Sequence, residues 1–179
     1  DADRQDYDFW TWLSDCLLDE SGDMSIVAAW PTVHYYTMGA VGEDDAPGNE
    51  WRDADTWPPD GVFEVPVYLH PDNSLDIELP GSDGGGDTFT YDPSDPSPTV
   101  GGANLFMEDG ARDQRSVEAR DDVVVYSSPI LDEPIEVTGD LRAEIWITTD
   151  VPDTDIVVRL TDVYPDGRSI LVADSIIRA

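Results

Sequence analysis

The spacing of apolar residues changes once along the chain. In DYDFWTWLSDCLLDESGD, Phe9, Trp10, Leu13, Cys16 and Leu17 fall at i, i+1, i+4, i+7 and i+8, which is one face of a helix. Asp3 or Asp6 can cap its start and Gly22 ends it. Trp12 and Leu18 stand off the stripe, so a short, aromatic helix covered on more than one side is expected. From Val33 the period is two, as in strands. Residues 34–38, 63–69, 75–79, 88–91, 123–127, 136–149, 155–163 and 169–177 are predicted to be extended, with Val65, Val67 and Leu69 on one face of the second. Tyr164-Pro165-Asp166-Gly167-Arg168 carries the turn chemistry of a hairpin between the last two. Trp146 shares a face with Arg142 and Glu144 and is expected to cover a neighbouring element. Many short strands, Gly/Pro turns and a proline-rich loop over 92–104 predict an all-β chain, a jelly-roll β-sandwich with a short N-terminal helix.

Composition changes this picture in one respect. Forty acidic residues face nine basic ones, every one of them Arg, for a formal net charge of -31. Six Trp, seven Tyr and four Phe argue for a packed core in place of disorder. Nucleotide bias can exchange Lys for Arg but does not supply forty carboxylates. Adaptation to a salt-rich interior is therefore expected, with the chain in the cytoplasm of a salt-accumulating halophile. So acidic a surface disfavours nucleic acid and anionic membranes. A lone Cys16 allows no internal disulfide, and no apolar run is long enough to span a bilayer.

Catalytic patterns are absent. No serine stands in a G-x-S-x-G elbow, and Ser21 and Ser82 sit in turn contexts. His34 and His70 are read as structural, the second because it precedes Pro71 at a strand end. With two isolated histidines and one cysteine, no metal site and no cofactor are expected. Gly84-Gly85-Gly86 lacks the lysine of a phosphate loop. Arg112, Arg115 and Arg120 fall within nine residues among Asp113, Glu118, Asp121 and Asp122, which predicts a fixed ion-pair network at an interface.

Several ordered stretches resemble the C-terminal region of the CocE/NonD hydrolases, the cocaine-esterase-like relatives of X-Pro dipeptidyl-peptidases. They are Tyr35-Tyr36-Thr37-Met38-Gly39, Asn49-Glu50-Trp51-Arg52, Trp57-Pro58-Pro59, Tyr68-Leu69-His70 and residues 91–102. Asp113-Gln114-Arg115, Val137-Thr138-Gly139 and Asp162 through Arg168 continue the series. The resemblance implies a serine hydrolase acting on esters or X-Pro peptides, with an α/β-hydrolase core and a cap domain upstream of residue 1. Residues 1–30 would be a helical linker from that core, and residues 31–179 a galactose-binding-like jelly roll, cut short at its end. By position, Leu105 and Phe106 would bind substrate at the pocket wall. Trp51, Arg52 and Trp57, with Arg112, Arg115 and Arg120, would form interdomain contacts. The chain itself would be non-catalytic. The competing reading is a stand-alone carbohydrate-binding or interaction module.

Overall fold

The computed structural model describes residues 9–18, 28–43, 45–81, 85–105 and 107–179. It divides into two compact units, Asp1–Phe63 with Glu136–Asp140, and Glu64–Ile135 with Leu141–Ala179. Among the described residues, regular structure is mainly β, with little helix: three two-stranded antiparallel sheets and short helical segments.

In the first unit, α1 (Phe9–Leu13) runs into a π-helical turn, Ser14–Leu18. The helix lies where the apolar stripe predicts it, but its proposed caps at Asp3, Asp6 and Gly22 lie outside the described residues. Widening to π spacing takes Leu17 off the face it would share with Leu13 in an α-helix. Phe9, Trp10 and Leu17 are exposed, a correction to the predicted cover. The aromatics meet one another instead, Phe9 edge-on to Trp10 at 5.4 Å and stacked with Trp12 at 6.2 Å.

The unit's sheet is a hairpin of β1 (Val33–Thr37) and β2 (Glu50–Ala54). The register pairs His34 with Asp53 and Tyr36 with Trp51. Those four side chains share one face, and Tyr35 and Arg52 lie on the other. Sequence periodicity alone misses β2, because Glu50, Arg52 and Asp53 obscure the alternation around a single Trp. The connection between the strands is closed by Asn49, whose Oδ1 accepts from the Gly39 amide at 3.0 Å and whose Nδ2 donates to the Glu43 carbonyl at 3.3 Å. A side chain on Gly39 would meet the Pro47 carbonyl at 2.6 Å, so glycine is required there.

In the second unit, β3 (Tyr68–Leu69) pairs with β4 (Leu75–Asp76) around an Asp72–Ser74 turn. The Ser74 hydroxyl and amide both donate to Asp72, and the hydroxyl bond is the main reason that carboxyl is held below its usual range. The predicted terminal hairpin forms as β5 (Asp155–Val163) and β6 (Ser169–Arg178). Its turn is fixed by the Tyr164 amide donating to the Arg168 carbonyl and the Gly167 amide to the Tyr164 carbonyl, each at 2.8 Å, by Gly167 at φ 86°, and by the Arg168 guanidinium 4.7 Å over the Tyr164 ring. A register shift at Leu160/Thr161 leaves Val172 as the extra residue of a bulge.

The core sits at the turn end of this hairpin. Val117 of α2 (Arg115–Glu118), Tyr164, Ile170 and Leu171 are the buried apolar set among the described residues. Other predicted strands are absent as ladders. Residues 63–67, 88–91 and 136–149 have no sheet partner among the described residues, and 123–127 contributes only the Ser127 bridge to Ser74. Their alternation selects a face without supplying a neighbour to pair with. Accordingly Val65, Val67, Leu141 and Ile145 stay exposed, and Trp146, at 85% exposure, covers nothing. No helix of the described residues is long and apolar enough to cross a membrane.

Candidate functional site

A network of hydrogen bonds in the second unit surrounds the 99–120 segment. Gln114, 1% exposed, holds it to the core hairpin: its amide donates to the Ser169 carbonyl at 2.7 Å, and the Leu171 amide donates to Arg112 at 3.0 Å. Its carboxamide nitrogen donates to the carbonyls of Val100 at 2.8 Å and Arg112 at 3.0 Å. The buried Gln114 Oε1 has no hydrogen-bond partner among the described residues. Ser169, equally buried, donates its hydroxyl to Glu118 at 2.5 Å and its amide to Asp113 at 3.2 Å.

Between these anchors the chain makes a closed loop. Gly102 and Gly110 exchange backbone bonds of 2.8 and 3.0 Å, and Gly101 adopts φ 71° with no room for a Cβ, which would lie 2.5 Å from the Gly110 carbonyl. Asn104 braces the tip by donating to the Gly101 carbonyl at 3.0 Å and accepting from the Met107 amide at 2.9 Å. A cleft of about 440 Å3 is lined by residues 99–101, 107–108 and 112–113. Leu105, predicted to bind substrate, stands at the tip and is 92% exposed. Phe106, its predicted companion, lies outside the described residues.

The three clustered arginines do not join one network. Arg115 pairs with Asp113 and Arg120 with Asp122, each two residues away along the chain. Arg120 also reaches Asp95 at 3.4 Å and its carbonyl at 2.6 Å, tying the proline-rich loop down. Arg112 donates Nε to the Asp109 carbonyl and lines the cleft, and forms no ion pair among the described residues. Side-chain bonding to Arg115 holds the Asp113 carboxyl down at about 2, against an ordinary 3.8. A group depressed in the folded state contributes stability above its unfolded value and loses it as pH falls through the folded one. Asp113→Asn is therefore expected to give a shallower loss of urea midpoint between pH 4 and pH 2 than the parent chain. Equal slopes would remove Asp113 from the acid response.

In the first unit, Arg52 donates to Glu50 and, at 2.5 Å, to Glu136, which also accepts from Thr138. These bonds, Glu50 first, raise the Arg52 guanidinium further above its ordinary range. Trp51 stacks on His34 at 4.5 Å with Tyr36 against its edge, and Trp57 meets Tyr35 edge-on at 5.4 Å. Both tryptophans remain about half exposed.

His34 Nδ1 lies 2.6 Å from Asp53, and His70 Nε2 donates to the Glu78 carbonyl at 3.0 Å. The hydroxyls of Ser74, Ser94 and Ser169 donate to the carboxylates of Asp72, Asp92 and Glu118. No group of three potential metal ligands converges among the described residues. Sequence reasoning overlooked the buried Gln114; its place between Asp113 and Arg115 was the only signal.

Residues 26–179 match the family model of the X-Pro dipeptidyl-peptidase C-terminal non-catalytic domain. The chain is 36% identical over 171 residues to cocaine esterase from Rhodococcus sp., an alignment covering 88% of this chain and 28% of that protein. It is 30% identical over 162 residues to putative serine esterases of Mycobacterium bovis and Mycobacterium tuberculosis, covering 86% of this chain and 23% of each. It thus spans about a quarter of the length of the curated relatives it matches. No solved structure shows a significant match. The chain belongs to the family of X-Pro dipeptidyl-peptidase C-terminal non-catalytic domains.

Proposed function

We propose that the chain serves a CocE/NonD-type serine hydrolase as its accessory domain, a galactose-binding-like jelly roll that docks on an α/β-hydrolase core and cap and completes the substrate pocket. Residues 1–30 would link to that core and residues 31–179 would form the accessory domain. The ester or amide bond would be cut by a serine, with histidine as base, on the catalytic domain. Leu105 and Phe106 would wall the acyl side of the pocket, and Trp51, Arg52 and Trp57, with Arg112, Arg115 and Arg120, would face the neighbouring domains.

The observation that carries this reading is Leu105: a leucine almost wholly in water at the tip of a loop braced by reciprocal backbone bonds. An apolar side chain in water forgoes the stabilisation of burial, and a docked pocket would return it. Half-exposed Trp51 and Trp57 fit the same role, since aromatics and arginines are enriched at interfaces. A sugar platform is less well supported, because one face of Trp51 already carries His34.

The test is hydrolysis of a p-nitrophenyl ester in 2 M KCl. The 179-residue chain alone is expected to give no turnover above buffer, while the longer polypeptide carrying it behind a catalytic region turns over and loses kcat/KM on Leu105→Ala. Turnover by the chain alone, or indifference to Leu105→Ala, would overturn the reading.

A further inference from the structure

Holding a loop in one conformation costs entropy at every residue it contains. Among its described residues the 101–112 loop gains little apolar burial in return: Leu105 and Met107 are exposed, and Val100 and Gly101 lie at its base. Hydrogen bonds hold the described residues of the loop, and at its base two of them meet on one side chain. The two carbonyls that Gln114 Nε2 holds, Val100 and Arg112, are the two stems of the loop, twelve residues apart in sequence and bridged by one nitrogen.

We infer that Gln114 is the positioning residue of this loop: by clasping both stems it sets where Leu105 stands, and so shapes the substrate site without touching substrate. The inference rests on the proposal that Leu105 walls the pocket. The side-chain chemistry suits the task. A buried group here must offer two donors from one atom to two carbonyls and carry no charge; a primary carboxamide does this, whereas a carboxylate has no donor and an ammonium would bury a cation. Glutamine has the further reach that asparagine lacks. The unpartnered Gln114 Oε1 points the same way, since the site keeps a carboxamide despite leaving its acceptor buried and unsatisfied.

Above Gln114 the Gly102–Gly110 pair and the Asn104 brace repeat the closure, so the clasp is transmitted to the tip through bonded layers. Asn104 offers a second route to the same loop, since its side chain bonds only within it.

The test compares Gln114→Glu, Asn104→Ala and Leu105→Ala. In the 179-residue chain, amide hydrogen exchange at Gly102 and Gly110 is expected to speed up about ten-fold or more in Gln114→Glu, which removes both side-chain hydrogen bonds, while Val157 and Ile176 keep their protection. In the longer polypeptide, Gln114→Glu and Asn104→Ala are expected to raise KM for the ester about ten-fold with kcat nearly unchanged, as a displaced binding wall requires. Unchanged exchange at Gly102 and Gly110 overturns the inference whatever the kinetics do. Should Gln114→Glu also lose protection in β5 and β6, Asn104→Ala decides: faster loop exchange with raised KM supports the clasp, and unaltered KM overturns it. Indifference of kcat/KM to Leu105→Ala, with exchange responding as expected, sinks the pocket-wall proposal alone.

Discussion

Leu171→Asp is expected to abolish cooperative unfolding of the second unit. Leu171 is 3% exposed, its amide holds the Arg112 carbonyl, and it is one of only four buried apolar residues among those described. An unpaired charge placed there costs about 4 kcal/mol or more. The milder Leu171→Ala costs about 2–5 kcal/mol by lost burial and the cavity left behind. Domains of this kind hold about 5–15 kcal/mol in total. Near-UV circular dichroism and urea titration should show a flat, denatured-like profile for Leu171→Asp and a lowered midpoint for Leu171→Ala. Ile176→Asp, on the same strand but 65% exposed, is the control and should shift the midpoint little. If Leu171→Asp melts like the parent chain, the stability of this unit lies elsewhere than the α2–β6 contact.

The second large effect is the response to salt. With a net charge of -31 and no lysine, most carboxylates have no cation available to them, and the ion pairs present are mainly between residues two apart. Screening shortens from about 8 Å at 0.15 M salt to about 3 Å at 1 M, which relieves the repulsion of the folded state. Raising KCl from 0.1 M to 2 M should therefore increase the melting temperature by roughly 6 °C, equivalent to about 2 kcal/mol at this chain length. The exposed Asp–Arg pairs are screened as well, but each contributes only about 0–1 kcal/mol, so the net sign stays positive. A melting temperature that is flat or falls with KCl would remove the salt-adaptation reading of the composition.

What could be read from the sequence follows from how local each feature is. The β5–β6 hairpin was legible because its turn residues and its alternation both act within a few positions. Strand β2 was hidden by charges on both faces, although its pairing with β1 is regular. Over 136–149 the opposite holds: the alternation is clear, yet no ladder forms among the described residues. Alternation records which way side chains point, whereas pairing depends on another segment arriving alongside. The predicted arginine network failed as a unit because an i, i+2 carboxylate in an extended or turn segment is nearer than any distant partner. Leu105 was placed by resemblance, and the clasp beneath it was not, since a buried glutamine leaves no periodic mark.

The β5–β6 hairpin is a ribbon with two outer edges, and the Asp113–Ile170 bridge shields only part of one. Open edges of this kind are templates for joining further strands. Asp155, Arg159, Asp162, Asp174 and Arg178 stud the ribbon with charge, and on so acidic a molecule they keep copies apart by mutual repulsion. Concentrated electrolyte shortens the reach of that repulsion. If salt raises the melting temperature as expected above, self-association through the ribbon would become easiest under the ionic conditions in which each molecule is most stable.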